Sequence, residues 1–332
     1  MSTGIRAVRW SLIGLAASLA VVLVIMRLFN VPLTAILEAP RALLFVSVLL
    51  CVMRLLAQGF RFYMLVKRHS LVRLGLGEAL MVRSVSEFFA LTTVPFIADE
   101  SVRLMILVQR GEKTVTAFWI AFSELILDVA VTAPIAVSSG IMAFVHGDVY
   151  LAAVLMVLPL IQLSLTTLLI LLPRLRKTHS LNIANRISIP RRFLEPLKRF
   201  SGESNNFLKN FVSSRGRVNT VVLTALTTVV MTLPAVTLYL VYSMTVDVGF
   251  VEALLAFHAG NVLGALPVTV GGAGLTEAGT FLFSSRVLRI TSIEAVVLWR
   301  VLTYYLTLLI TGLMFVFYAL LSIRRFPNRE KP

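Results

Sequence analysis

The stretch LPVTVGGAGLTEAG, residues 266–279, decides how the rest of the chain is interpreted. Apolar sequence flanks it at 250–266 and 275–288, yet no helix can run straight through it. Pro267 lacks the N–H that a helix interior needs, and three of the residues 271–274 are glycine, which favours turns. Broken backbone inside a membrane is tolerated only where it is packed in protein or lines a cavity. The stretch predicts either the tip of a re-entrant helical hairpin or an ordinary extramembrane loop, and its short flanks favour the hairpin.

Composition places the chain among polytopic membrane proteins. Its 332 residues are 58% hydrophobic and 14% charged, with a mean hydropathy of +0.90. The net charge of +15 would suggest nucleic acid in a soluble protein. In a membrane protein it fits cytoplasmic loops that contact anionic headgroups, so we expect no nucleic-acid partner. With Cys51 as the single cysteine and four scattered histidines, we expect no disulfide, metal site or cofactor.

Hydropathy divides the chain into full and broken segments. Two broken segments, 76–109 and 250–288, are interrupted near a proline. Full spans are predicted at 10–26 (a signal anchor), 42–66, 114–142, 149–172, 219–243 and 292–322.

The distribution of basic residues predicts the orientation of these segments. The turns at 143–148 and 244–249 carry little charge. Basic clusters lie at the N-terminus, at 61–73, at 110–113, across 173–218 and at the C-terminus. This pattern places both termini in the cytoplasm only if each broken segment returns to the side from which it enters.

The two halves of the chain repeat one order of elements. Residues 42–142 and 219–322 each read as a span, a hairpin broken at a proline, and a long span. The breaks contain Pro95 and Pro267, which we interpret as hinges, and each proline is followed by a glutamate. The predicted fold is a single membrane domain over 1–332, all-α and polytopic. It has six full transmembrane helices plus two re-entrant helical hairpins in an inverted-topology repeat, with the substrate near the midplane.

One long polar segment, residues 173–218, separates the halves. It holds eleven lysines and arginines against two acids. Its aromatic and leucine side chains fall near one helical face, which indicates a helix on the cytoplasmic membrane surface. The alternative is a disordered linker.

Two carboxylates lie inside the span 114–142. Glu124 and Asp128 are spaced i,i+4 and share a helix face. Charges at the bilayer centre cost about 2.5–3.5 kcal/mol on insertion scales, so each needs a reason. One hypothesis is a coupling or gating site for protons or cations. The other is a structural pair neutralised by Arg54, Arg83 or Arg103.

Further charges lie near the breaks and are candidates for binding substrate. Arg300 lies inside the last span and is expected to contact either Glu277 or a phosphate. Glu100 and Arg103 follow the first break, and Arg103 either binds phosphate or reaches the headgroups.

The glycine turn and three other polar residues complete the candidates. Gly271, Gly272 and Gly274 precede a helix N-terminus, a favourable place for an anion. His258 and Asn261 are expected to hydrogen-bond between helices, and Arg54 is expected to pair with Glu87. The sequence shows no nucleophile–base set, phosphate loop, dinucleotide fingerprint or metal cluster, so we expect no enzyme activity.

At this point the motifs resemble a known family. Leu266-Pro267, the run from Gly271 to Ala278 and Leu298-Trp299-Arg300 resemble the flippase-like membrane region of lysylphosphatidylglycerol synthetases. The first half is similar in its pattern Pro95…Glu100-Ser101-Val102-Arg103 followed by Glu124…Asp128. The resemblance covers about residues 10–322. The chain departs from the family in reading Ile97-Ala98-Asp99-Glu100, where a glycine before the glutamate is more usual.

The resemblance implies a lipid-translocating domain in a bacterial or archaeal cytoplasmic membrane. In the synthetases a soluble aminoacyltransferase domain follows this region. The sequence ends at Pro332, and we therefore expect that domain to be absent and lysyl transfer to be lacking.

Three hypotheses for function follow. The first is a transporter that moves an amphipathic, phosphate-bearing lipid between leaflets. The second is a membrane-embedded lipid headgroup transferase that uses the carboxylates as general base. The third is an accessory subunit of a lipid-modifying enzyme complex that docks through 173–218.

Overall fold

A computed structural model describes residues 38–93, 98–184, 191–212 and 214–325, together with six residues between 20 and 34. For 172–184, 191–199, 212, 214–219 and 321–325 it describes the backbone alone. Most of the predicted first span and the predicted hinge Pro95 lie outside the described residues.

Helices account for the regular structure of the described residues, which contain no strand. This agrees with the predicted all-α class. The helices are α1 (Arg41–His69), α2 (Leu76–Thr92), α3 (Ala98–Gln109), α4 (Thr114–Val145), α5 (Val149–Ala184), α6 (Arg191–Val212), α7 (Ser214–Tyr242), α8 (Phe250–Gly264), α9 (Leu275–Arg286), α10 (Ile293–Arg300) and α11 (Leu306–Arg325). A 3-10 turn (Val270–Gly272) precedes α9, and a π-helical turn (Val301–Tyr305) joins α10 to α11.

Five helical segments are long and apolar enough to cross a membrane. Within the described part of the chain they are Arg41–His69, Thr114–Val145, Val149–Leu171, Thr220–Tyr242 and Ile293–Leu320. They correspond to the second to sixth spans of the sequence interpretation. The protein is therefore a membrane protein with several spanning helices.

The remaining apolar helices are short and form two pairs. Helix α8 has 15 residues and α9 has 12. At 1.5 Å per residue their lengths are about 22 and 18 Å, less than a hydrocarbon core of about 30 Å. Gly260 and Gly264 let α8 approach α9 closely, because a Cβ on Gly279 would lie 2.9 Å from Gly260 Cα.

Two of the three clusters of buried apolar side chains in the described part of the chain form most of the core, one for each pair. The first contains Val248 at the start of α8 and Val287 after α9. The second contains Leu74 before α2 and Leu107 near the end of α3. Each pair therefore begins and ends at the same cluster.

Polar contacts fix one end of each pair, but they do so differently. Asp148, in the turn between α4 and α5, accepts a 3.0 Å hydrogen bond from Arg286 at the end of α9. Glu112, between α3 and α4, accepts one from Ser70 and a 2.7 Å bond from the Leu71 N–H, both between α1 and α2.

The described part of the polar segment 173–218 is helical. Residues up to Ala184 continue α5, α6 occupies Arg191–Val212, and α7 begins at Ser214. On α6, Phe207 and Leu208 are buried, and Ser204 accepts a 2.8 Å hydrogen bond from the Trp119 indole N–H. These contacts fix the apolar face of α6 against α4.

A single cysteine lies in the interior. Cys51 on α1 is buried, and its Sγ lies 3.1 Å from the Thr307 hydroxyl on α11.

Candidate functional site

The two helix pairs meet at their tips. The Gly271 N–H donates a 2.9 Å hydrogen bond to the carbonyl of Thr93, which directly follows α2. The Tyr304 hydroxyl donates one of 2.5 Å to the carbonyl of Leu91. Backbone carbonyl groups at the end of α2, in the first half of the chain, thus accept hydrogen bonds from groups of the second half.

The glycines of residues 271–274 supply the turn that makes this contact possible. Gly271, Gly272 and Gly274 have φ angles of +56°, +68° and +84°, which L side chains rarely adopt. A Cβ on Gly271 would also lie 2.6 Å from the Leu91 carbonyl oxygen.

The N–H groups of these glycines are occupied within the protein. Gly271 N–H goes to Thr93, Gly272 N–H reaches the Thr269 carbonyl at 3.4 Å, and Gly274 N–H donates to Glu277 Oε2 at 2.8 Å. An anion at this turn would have to compete with these partners, so Arg300 is the stronger candidate for holding it.

Arg300 joins the turn to the last helix. Its Nε lies 3.0 Å from Glu277 Oε1, and its Nη2 donates a 2.8 Å bond to the Gly271 carbonyl. Its guanidinium carbon stands 4.1 Å from the centre of the Tyr304 ring, within range of a cation–π interaction. The π-helical turn begins at the next residue and carries Tyr304. Such turns are frequent at functional sites.

The first half carries a buried network of ion pairs. Four arginines and five carboxylates from α1 to α4 take part: Arg54, Arg61, Arg83, Arg103, Glu87, Asp99, Glu100, Glu124 and Asp128.

Glu124 lies at the centre of this network. It is fully buried and contacts Arg61 at 2.9 Å, Arg83 at 3.6 Å and Arg103. Asp128 is bound by Arg61, which also donates a 2.9 Å bond to Thr227 on α7. Both carboxylates of the predicted coupling pair are thus tied to guanidinium groups.

Two further acids of the network, Glu87 and Asp99, share one arginine and have one other arginine each. Arg83 lies 3.0 Å from Glu87 and 3.2 Å from Asp99. Arg54 also contacts Glu87 at 3.0 Å, the pair expected from the sequence. Arg103 contacts Asp99 at 3.1 Å.

Arg61 corrects the interpretation of the basic cluster at 61–73. The sequence placed it with the cytoplasmic loop residues, but its side chain is fully buried within α1. Arg54, Gln58 and Arg61 are spaced i, i+4, i+7 and therefore share one helix face. That polar stripe in an apolar span was the signal that the sequence interpretation missed.

A cavity of about 260 Å³ lies between the network and the glycine turn. Of the predicted site residues, Glu100, Asp128, Gly271 and Arg300 line it. The other predicted site residues do not belong to the lining: Arg103, Glu124, Gly272, Gly274 and Glu277. The lining also includes Asp99 and Tyr304, which the sequence had not assigned to the site.

Two other predicted residues lie elsewhere. Pro267 is exposed in the turn after α8 and does not line the cavity. The prediction for His258 was wrong: both of its buried ring nitrogens lack a hydrogen-bond partner in the described structure. Asn261, one turn on, lines the cavity.

Comparison with known proteins gives one assignment. No curated protein matches the chain. The sequence model of the lysylphosphatidylglycerol synthase transmembrane region matches residues 11–311, and the chain therefore belongs to that family.

Proposed function

We propose that this protein moves an amphipathic, phosphate-bearing lipid between the leaflets of a bacterial or archaeal cytoplasmic membrane. The observation that carries the proposal is the cavity between the tips of the two helix pairs, lined by charged residues of both halves. Family membership supports a lipid-related role in the membrane.

In this proposal the two pairs are re-entrant hairpins of an inverted repeat. Six full spans surround them, and both chain termini are cytoplasmic. Three observations support it: the pairs are too short to span, each begins and ends at one core cluster, and their tips touch. Many transporters hold their substrates in polar cavities that broken helices form near the midplane of the membrane.

The size of the cavity fits a headgroup and excludes whole lipids. Pockets for drug-sized ligands measure about 300–1,000 Å³, and this cavity measures about 260 Å³. The phosphate-bearing headgroup would pass through it while the acyl chains stay in the bilayer. Arg300 would contact the phosphate, because a guanidinium presents several donors to its oxygens.

Transport is favoured over headgroup transfer by the chemistry of the lining. Three carboxylates of the lining, Glu87, Asp99 and Asp128, are each paired with an arginine, which opposes their use as the general base that the transferase hypothesis needs. We therefore propose that the chain performs no covalent step on the lipid.

The direct test is reconstitution. Purified protein in liposomes is given lipids with a fluorescent label on a hydrocarbon chain, and the fraction open to a membrane-impermeant quencher is followed over time. We expect faster leaflet exchange than in protein-free liposomes, and slower exchange for Arg300→Ala. Exchange no faster than in protein-free liposomes for anionic, zwitterionic and polyprenyl phosphate lipids, with folded protein, would refute the proposal.

A further inference from the structure

The ion network contains one carboxylate more than it has guanidinium groups. Its four arginines carry four positive charges and its five carboxylates carry five negative charges when ionised. The cluster would then hold one uncompensated negative charge in the interior. A buried charge without a partner is strongly unfavourable, and such a group takes up a proton instead.

The contacts single out the carboxylate that lacks compensation. Glu124 has three arginine partners, and Glu87 and Asp99 have two each. Asp128 has both oxygens on Arg61, and its side chain is 24% exposed.

Glu100 differs from these four. Its closest guanidinium contact is Arg103 Nη2 at 3.6 Å, beyond hydrogen-bond distance, and Arg103 is shared with Asp99 and Glu124. Its Oε2 atom is buried and has no hydrogen-bond partner among the described residues. The residue is 4% exposed and lines the cavity.

Among the residues that the structure describes, the charged groups around Glu100 leave no other source of compensation. Asp99 and Arg103 flank it on α3, Arg83 and Glu87 come from α2, and Glu124 and Asp128 come from α4. Arg54 and Arg61 on α1 are bound to Glu87, Glu124 and Asp128. Across the cavity, Arg300 is neutralised by Glu277.

From this arrangement we infer that Glu100 is a proton-binding site of the cavity, occupied in the resting protein and able to exchange its proton with the cavity. The described residues hold no group of histidine, cysteine, aspartate and glutamate suited to a metal ion, which favours a proton as the ligand. The site deepens the proposed function, on which its transport role rests: loss of the proton adds a negative charge beside the lipid phosphate, and uptake removes it. Lipid movement would then be coupled to protonation at Glu100, with Glu124 and Asp128 holding the network in shape.

Infrared spectroscopy tests the site without any transport measurement. Protonated carboxylic acids give a carbonyl band that carboxylates lack. In a detergent that contains no ester or carboxyl group, near neutral pH, we expect this band in the wild-type protein and its loss in Glu100→Gln. The amide leaves four carboxylates with four arginines, so no other group needs the proton. Glu294→Gln, at an exposed site at the start of α10, is the matched control and should keep the band.

A second, conservative variant keeps the test decisive if Glu100→Gln fails to fold. Glu100→Asp keeps the charge, and the band should move to the frequency of an aspartic acid. A wild-type protein without the band, or a band unchanged in both Glu100 variants, would overturn the assignment.

Leaflet exchange separates the two proposals. We expect a pH gradient to alter the exchange rate in wild-type liposomes and to have no effect with Glu100→Gln. The Glu100 band without any lipid exchange would overturn the transport proposal and leave the proton site standing. Lipid exchange without the band would overturn only the proton site.

Discussion

Arg61 Nε donates a 2.9 Å hydrogen bond to Glu124 Oε1, and the two residues are 63 positions apart in the sequence. The bond joins α1 to α4 in the interior, and the same guanidinium also binds Asp128 and Thr227. Helices from both halves of the chain are therefore held by one side chain.

Replacing Arg61 should destabilise the protein strongly. Arg61→Gln leaves Glu124 and Asp128 without a shared partner in a buried site, and breaking such pairs costs about 3–5 kcal/mol. Thermal unfolding in detergent measures the loss. Lys67→Gln, at an exposed position on the same helix, should change the stability by less than about 0.5 kcal/mol. Equal effects of the two substitutions would show that burial of Arg61 is unimportant.

Gly271 can be tested against a glycine with the same backbone constraint. Gly271→Ala adds a Cβ close to the Leu91 carbonyl at a φ of +56°. Gly147→Ala places one at a φ of +86° with no neighbour within 4 Å. Both pay the left-handed strain of about 1–2 kcal/mol, so the difference between their unfolding temperatures isolates the tip contact. We expect only Gly271→Ala to lower the leaflet exchange rate. Matching results for the two variants would contradict a role for the contact.

At position 300, a positive charge alone should not be sufficient for lipid exchange. Arg300→Lys keeps the positive charge but cannot reach Glu277 and the Gly271 carbonyl with a fixed fork of donors. We expect it to lose lipid exchange nearly as fully as Arg300→Ala in the liposome assay. Arg289→Gln, an exposed arginine after α9, is the control that should keep the wild-type rate. If Arg300→Lys exchanges lipid at the wild-type rate, the positive charge of the residue is sufficient and its fork of donors is not required.

The contacts of the Asp148 carboxyl predict that the stability of the protein depends on pH in the acid range. The Leu151 N–H and the Arg286 guanidinium hold the pKa of the Asp148 carboxyl below its usual range. The unfolded chain titrates at the usual value, about 3.9, so this contribution is complete above that value. It is lost as the pH falls through the lowered folded pKa.

The Asp148→Asn variant should therefore be less stable than the wild type at neutral pH. Its unfolding temperature should also fall less steeply below about pH 4. Asp247→Asn, an exposed residue between α7 and α8, should show the wild-type profile. If the unfolding temperature of Asp148→Asn depends on pH as in the wild type, the pair of Asp148 and Arg286 does not contribute to the pH dependence of stability.

Single-cysteine labelling tests the proposed topology. Exposed positions are Leu71 after α1, Tyr150 on α5, Met244 after α7 and Thr291 before α10. If α8 and α9 form a re-entrant hairpin, an impermeant maleimide labels cysteines at 150, 244 and 291 from one side and at 71 from the other. A cysteine at 291 labelled from the side of residue 71 would mean that the pair crosses the membrane. Cys51 is buried and should give little background.

Much of the fold could be predicted from the sequence, because hydropathy sets span length and Pro and Gly set the breaks. Five of the six predicted spans coincide with apolar helices of spanning length. The ends of α5 and α7 were misplaced: charged residues suggested a surface segment, whereas the backbone stays helical to Ala184 and again from Ser214. Charge marks where a helix leaves the apolar region and gives no information about where it ends.

The site was harder to predict than the fold. Arg300 stood out as a charge inside the last span, and Glu277 stood out because it lies in the broken stretch. Arg61 was missed because a positive charge near a helix end has two explanations, and only the partner carboxylates on α4 decide between them. The glycine turn was predicted to be a favourable place for an anion, but the carbonyl of Thr93, far away in the sequence, occupies the first of its N–H groups.

The hydrogen bond between Gly271 and Thr93 consists of two peptide groups. At position 93, any residue that can adopt the local backbone conformation can supply the carbonyl group. At position 271, which donates the N–H, only glycine is tolerated. Among homologues, position 271 should therefore stay invariant while position 93 drifts freely. Covariation between the two positions would then be absent, and methods that infer proximity from correlated substitutions would overlook the place where the two halves meet.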